Sequence, residues 1–430
     1  MHYFSTNRTS PHVSFGQAVL NGQPDDKGLY FPSEIPKLSA DFLAGFRSSS
    51  NAQIAFAVIR PYVGGEIPDE ELFKICEDTV NFDFPLVPIT DRVSTLELFH
   101  GPTLAFKDVG ARFMSRCLGY FSRGNKEKTI VIVATSGDTG GAVAAGFHGV
   151  ADIEVVILYP KGKVSKVQEL QLTTLGGNVT TLELHGNFDD CQALAKQALA
   201  DSDLQTKVNL TSANSINVAR WLPQQFYYFY ALKQWEGEPP VISVPSGNFG
   251  NLASGILAHI SGLPVSKFIA ACNANDVVPR FLRSENYEPR ESVATLSNAM
   301  DVGSPSNFVR ILEIFGNKFV DLKEKLESVS ISDETTATTM RDVYSQCNYI
   351  LDPHGAVGFR ALDDYLKTHD GAKGIVLETA HPVKFDSVTD IVGTQGDVPN
   401  GVAELFEKDK VSIEMDNDYG RLKEILLSKI

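Results

Sequence analysis

The chain has 430 residues, 43% of them hydrophobic, which is enough apolar volume for more than one core. Its formal net charge of −15 argues against nucleic acid or an anionic membrane as a partner, because phosphate surfaces demand clustered Lys and Arg. The five cysteines are scattered without Cys-x-x-Cys spacing and odd in number, a pattern of reduced thiols in a cytoplasm rather than a disulfide framework or a zinc site, so no metal is expected.

Residues 1–92 carry turns and helical stretches (SFGQAVLNG, GLYFPSEIP, VGGEIPDEELFKICEDTV) but few buried-strand runs, and read as an N-terminal region packed on a core. The opening MHYFSTNRTS has no apolar h-region, and no run reaches the ~18 apolar residues of a spanning helix, so a soluble cytoplasmic protein is expected. Next, HGPTLAFKDVGARFM drops Lys107 into a mostly apolar run beside a Gly-Pro turn. Burying an ammonium group costs several kcal/mol unless it is paired, neutralised or used covalently. The ordinary reading is a snorkelling lysine on a helix start, paired with Asp108. The chemical reading is a lysine of lowered pKa, or one that forms a Schiff base with a carbonyl cofactor.

From residue 129 a pattern repeats: a β-branched run, a Gly/Ser/Asn turn, then a helical segment. TIVIVATSGDTGG leads into AVAAGF, IEVVILYPKGK into SKVQELQLTTLG, NVTTLELHGN into FDDCQALAKQALA, VNLTSANS into INVARWLPQQFYYFYAL, VISVPSGNFGN into LASGILAHI, and GIVLETAHP into VKFDSVTDIV. Val/Ile runs without alternation mark parallel strands covered on both faces, so the fold class is α/β, doubly wound. Ligands in such folds sit beyond the carboxyl ends of the strands, where TSGDTG, SANS, PSGNFGN and ETAHP all fall, which points to one shared site. Residues 276–371 read as mixed helix and loop, with SISDETTATTM as solvated surface.

Three of the turns suit anions. In VPSGNFGN, Gly247 and Gly250 free backbone N–H groups at a helix start and Asn248 and Asn251 add amides, a phosphate cradle lacking the signatures of ATP or dinucleotide loops. In ATSGDTGGAV, Ser136, Gly137 and Thr139 can clamp a carboxylate while Asp138 caps the helix; plain capping explains the same residues. In NSINVAR, Asn214 and Ser215 precede Arg220, whose guanidinium fork matches phosphate or carboxylate, although a single helical Arg is ordinarily a surface residue. A cofactor with a phosphate and an aldehyde uses the first cradle and Lys107 and leaves the other two turns to a substrate; pyridoxal 5′-phosphate fits that inventory.

HGPTLAFKD, ATSGDTG, SANSIN, VPSGNFGN, LSNAMDVG and TAHPVKF, in this order and spacing, resemble threonine synthases, pyridoxal-phosphate enzymes of the tryptophan synthase β-like fold, and the resemblance runs from SFGQAV to TAHPVKF. It implies that Lys107 carries the cofactor and then shuttles protons, that Gly247, Asn248, Phe249, Gly250 and Asn251 hold its phosphate, and that Thr379 meets its pyridine nitrogen. It further implies O-phospho-L-homoserine as substrate, with Ser136, Gly137, Asp138 and Thr139 at its carboxylate and Asn214, Ser215 and Arg220 at its phosphate. The products implied are L-threonine and phosphate, with a phospho-lyase yielding 2-oxobutyrate, ammonia and phosphate as the alternative. The expected division is an N-terminal region 1–92, a large cofactor-binding domain of 93–110 with 211–430, and a small mobile domain 111–210, in a monomer or homodimer. His100, His354 and His381 read as hydrogen-bonded structural residues, and the Phe106 and Phe249 rings as packing.

Overall fold

The computed structural model describes residues 1–124 and 128–429; residues 125–127 and 430, which fall inside the expected domain ranges, lie outside the described residues. Its strands are β1 (Tyr3–Ser5), β2 (Tyr30–Pro32), β3 (Leu86–Pro88), β4 (Val93–Glu97), β5 (Thr129–Ala134), β6 (Ile153–Pro160), β7 (Val179–Leu184), β8 (Asn209–Ser212), β9 (Val241–Pro245), β10 (Lys267–Cys272), β11 (Leu326–Ser330), β12 (Gly374–Glu378) and β13 (Ile413–Met415). They form two principal sheets, ordered β11-β10-β9-β12-β4-β3 and β13-β7-β6-β5-β8, beside a small antiparallel pair β1-β2. Every pairing in the two principal sheets is parallel except β3 with β4.

The β-branched runs explain the centres of both sheets. All side chains of β5 and β12 are buried, as expected of parallel strands with helices on both faces. The expected shared site takes a particular form here: the TSGDTG and SANS turns follow strands of the smaller sheet, while PSGNFGN and ETAHP follow strands of the larger one. A ligand at these turns lies between two sheets.

The expected residue ranges shift in two places. Strand β8 extends the smaller sheet to Ser212, and the C-terminal β13 crosses back to pair with β7, with the helix Tyr419–Leu427 burying Leu422 and Leu426 among the smaller sheet's core residues. SISDETTATTM is also not solvated surface throughout. Ser332 caps a helix, Asp333–Cys347, that buries Thr336, Thr339, Met340 and Val343; the cap and the packing outweigh the poor helix propensity of threonine. Among the described residues no helix is long and apolar enough to cross a membrane, and all five cysteines are free thiols.

Candidate active site

Lys107 opens the helix Lys107–Ser122. The preceding backbone is held by the end of β12: Phe106 N–H donates to Thr379 O at 2.9 Å, His381 N–H donates to Leu104 O at 3.0 Å, and Ala105 bridges Ala380. This ladder sets Lys107 next to Thr379, which is 7% exposed and whose hydroxyl makes no hydrogen bond among the described residues. The sequence neighbour Asp108 does not pair with Lys107. Its carboxylate turns back to accept from the backbone N–H (2.9 Å) and hydroxyl (2.5 Å) of Thr103.

The counter-charge of Lys107 is Asp138, 3.7 Å from its Nζ, across the gap between the sheets. Asp138 is more tightly engaged by Lys384, at 2.8 Å, a lysine with no exposed side-chain surface that also donates to Thr103 O at 2.7 Å. Gln168 adds an amide donor at 3.0 Å. Burial would raise the Asp138 pKa, but Lys384 and then Lys107 hold it well below the usual carboxylate range. Lys107 is pushed below the ordinary lysine range, chiefly by burial, against the pull of Asp138 and with help from the charges of Lys384 and Arg220. Asp138 does not serve as the expected helix cap: its side chain makes no capping hydrogen bond and is engaged by Lys384 and Lys107 instead.

The rest of that turn is organised by Thr135. Its Oγ1 accepts from Gly137 N–H at 2.9 Å and Gly140 N–H at 2.8 Å, leaving the half-buried hydroxyls of Ser136 and Thr139 without partners among the described residues. Gly137 has φ 137°, and a Cβ there would sit 2.4 Å from the Gln168 side chain, so only glycine serves.

The loop after β9 is built differently. Phe249 adopts a left-handed conformation (φ 63°), with its ring packed on Phe308 at 5.6 Å. Asn248 spends its side chain inside the protein, accepting from Ser306 N–H (2.7 Å) and Oγ–H (2.8 Å) and donating to Ser215 Oγ (2.7 Å). Asn251 Oδ1 accepts from Tyr228 OH at 3.0 Å. By contrast, among the described residues the backbone N–H groups of Gly247, Asn248, Phe249, Gly250 and Asn251 make no hydrogen bond. They stand at the N-terminus of the helix Gly250–Ile260, where donors and dipole together favour an anion.

Ser215 therefore lies directly against the loop. Arg220, one short helix further on, is 3% exposed rather than a surface residue; burial lowers its pKa to about 10, its Nη1 donates to Ala213 O, and its Nε has no partner. Asn214 is held more loosely, its N–H donating to Ser212 Oγ at 3.3 Å. A buried guanidinium with an unpartnered N–H and no paired carboxylate among the described residues is suited to an incoming anion.

Sequence reasoning missed Lys384 and Arg310. Lys384 lies inside VKF, an apolar setting like that of Lys107, and the same criterion finds it. Arg310 is fully buried and donates to Ser215 O (3.2 Å), Ile216 O (2.7 Å), Asn307 Oδ1 (2.6 Å) and, in the N-terminal region, Tyr30 O (3.1 Å). It thereby ties the N-terminal region to the wall of the site. His100 contacts Glu97 at 2.6 Å, and His381 Nδ1 accepts from Val383 N–H at 3.2 Å, both structural roles.

Free backbone donors for a phosphate, a half-buried amine of lowered pKa for an aldehyde, and an unpartnered threonine hydroxyl for a ring nitrogen converge here, and this donor set fits pyridoxal 5′-phosphate. Residues 94–378 match the family model for pyridoxal-phosphate dependent enzymes, residues 2–80 that for the threonine synthase N terminus, and residues 355–426 that for the threonine synthase C-terminal part. A threonine synthase of Serratia marcescens is 44% identical over 431 residues, covering 99% of both chains. The crystal structure of threonine synthase from Escherichia coli covers 100% of both chains with a TM-score of 0.93 at 43% identity. PLP-bound threonine synthase from Brucella melitensis matches with a TM-score of 0.93 at 34% identity, covering 100% of this chain and 99% of that one. The chain belongs to the threonine synthase family of pyridoxal-phosphate-dependent enzymes.

Proposed function

We propose that this protein converts O-phospho-L-homoserine and water into L-threonine and phosphate in the cytoplasm, as a monomer or homodimer, with its cofactor between the two sheets. The observation that carries the reading is the row of unpartnered N–H groups at Gly247–Asn251 together with the half-buried Lys107 of lowered pKa. Those N–H groups would hold the cofactor phosphate, Lys107 its aldehyde carbon, and the Thr379 hydroxyl its ring nitrogen. When bound, pyridoxal phosphate supplies an electron sink for a substrate carbanion. A neutral hydroxyl partner, rather than a carboxylate, leaves the ring nitrogen largely unprotonated.

The chain's own residues do the rest. Lowering of the Lys107 pKa enlarges its neutral fraction, so that one amine can take and return protons at successive substrate carbons by proximity. Asp138 balances Lys107 and Lys384 at the end of the site where the substrate carboxylate would lie. The free hydroxyls of Ser136 and Thr139, with the turn at Gly137, would receive the substrate carboxylate; Asn214, Ser215 and Arg220 would receive its phosphate. The smaller-sheet unit, from residue 111 onward, would close over the substrate.

Incubating the purified protein with O-phospho-L-homoserine should yield threonine and phosphate in equal amounts, with Lys107→Ala lowering turnover by about 10²–10⁴-fold or more. Recovery of 2-oxobutyrate and ammonia would instead make it a phospho-lyase. No turnover, in a protein that binds pyridoxal phosphate, would reject the substrate.

A further inference from the structure

A second set of buried polar groups lies behind the phosphate loop, none of them used above. Glu378 ends β12, one residue before Thr379, and is fully buried. Its Oε1 accepts from Asp352 N–H at 2.9 Å. The remaining oxygens, Glu378 Oε2 and Asp352 Oδ2, are both buried and have no hydrogen-bond partner among the described residues. A Cβ on Gly355 would fall 1.6 Å from Glu378 Oε2, so the carboxyl rests directly on the first turn of the helix Pro353–Lys367. Burial, and then the charge of Asp352, push the Glu378 pKa well above the usual range.

Asp352 passes the polarity on. Its Oδ1 accepts from His354 N–H at 2.7 Å and stands 2.5 Å from His354 Nδ1. His354 Nε2 accepts from Ala299 N–H at 3.2 Å. A ring nitrogen that accepts carries no proton, so the imidazole hydrogen is on Nδ1 and points at Asp352. Ala299 belongs to the turn Asn298–Met300, and that turn covers the phosphate loop: a Cβ on Gly247 would come within 2.5 Å of Met300 Cα and 3.1 Å of Ala299 O. On its other side the turn is anchored by Asn273, which donates to Ser297 Oγ (3.1 Å) and Asp301 Oδ1 (2.8 Å).

We infer that Glu378, Asp352 and His354 form a directed hydrogen-bond relay that presses the Asn298–Met300 turn onto Gly247 and so fixes the phosphate cradle, with His354 as a positioning residue for the cofactor's phosphate end. The inference rests on the reading of Gly247–Asn251 as that cradle. The relay needs a donor toward Asp352 and an acceptor toward Ala299 in one side chain. Histidine as the Nδ1–H tautomer supplies both, and glutamine can imitate it.

The test compares apo-protein binding of pyridoxal 5′-phosphate with that of pyridoxal, which lacks the phosphate, by absorbance titration. His354→Ala should cut the preference for the phosphorylated form by about tenfold or more, as expected for an orphaned buried group, with pyridoxal affinity little changed. His354→Gln should restore most of it. Asn248→Ala, which loosens the loop itself, is the control for the cradle. If it loses the preference while His354→Ala keeps it, the relay is refuted and the cradle stands; if it too keeps the preference, the cradle reading falls. Equal losses for both compounds in a folded His354→Ala would reduce His354 to general packing and overturn the inference. Should His354→Ala not fold, ring ¹⁵N shifts of the wild-type holoenzyme decide: the Nδ1–H tautomer supports the relay and the Nε2–H tautomer refutes it.

Discussion

The turns at Gly137 and at Gly247–Asn251 have the same ingredients, a parallel strand followed by glycines, small polar residues and a helix, yet they differ in what they leave free. Around Gly247 Asn248 is spent on Ser215 and Ser306 and the Asn251 oxygen on Tyr228, while the backbone N–H groups and the buried Asn251 Nδ2 stay unpaired. Around Gly137 a threonine just ahead of the glycine consumes backbone N–H groups, while hydroxyls stay free and a carboxylate is locked between two lysines. The first turn is an uncharged set of dipoles, held through Asn248 by Ser306 and by Ser215 at the end of the smaller sheet. The second is charged and held across the gap, so it responds to whatever titrates or binds there.

The comparison breaks most severely at Asp138. Asp138→Asn leaves Lys384 buried without a counter-charge and should cost about 3–5 kcal/mol in urea unfolding, of which a second change, Lys384→Met, should return a large part. Next come the two close approaches. Gly355→Ala forces a methyl onto the Glu378 carboxyl and should destabilise by about 1–3 kcal/mol, reversing the usual gain of Gly→Ala within a helix. Gly247→Ala should weaken pyridoxal-phosphate binding by about 10–100-fold, because the new Cβ pushes against Met300, with a smaller change in melting temperature.

A pH scan sharpens the electrostatic contrast with an effect of intermediate size. Burial, followed by the neighbouring His100, pushes His381 down to about 4. A depressed folded-state pKa means that the unfolded chain binds more protons between about pH 4 and 6.5, so this contribution to stability is present above that window and lost as pH falls through it. His381→Gln should flatten the pH dependence of unfolding there by about 2 kcal/mol relative to wild type. Smallest in stability is Ser136→Ala: within about 0.5 kcal/mol of wild type, since its hydroxyl bonds nothing among the described residues, but with a several-fold higher KM for O-phospho-L-homoserine.

What could be read from the sequence follows the same physical division. Strands β5, β6, β9 and β12 announce themselves because consecutive Val, Ile and Leu have few other uses. Strand β10 (KFIAAC) is rich in small residues, and β11 (LESVS) and β13 (IEM) sit at sheet edges with polar side chains; their extended form comes from the partner that supplies the ladder, not from local preference. Within the site, Lys107 and the glycine turns are legible because a cation in an apolar run and a backbone that must turn are local demands. Arg310 and the Glu378–Asp352–His354 chain are not, because each acquires its meaning from a partner that folding brings close, as Arg310 does from Tyr30; Lys384 stands in an equally apolar run, but its partner Asp138 is visible only in the fold. Asp138 shows the converse. Its sequence neighbours suggest a cap, and only the two lysines reveal a counter-ion.

The return of β13 to the smaller sheet has a consequence for the order in which the protein comes into being. At about 5–20 residues per second, Lys384 leaves the ribosome roughly 15 to 55 s after Lys107, and β13 follows later still. Through that interval Asp138 has no Lys384 to meet, β7 lacks its outer neighbour β13, and the larger sheet lacks β12 between β9 and β4. A nascent chain stalled before residue 374 cannot assemble the place where the cofactor would sit, however well β5 to β8 have paired. Cofactor capture is thus a late event in biosynthesis, and a release from the ribosome that loses only the last twenty residues would yield a chain with Lys107 in place and one sheet edge unprotected.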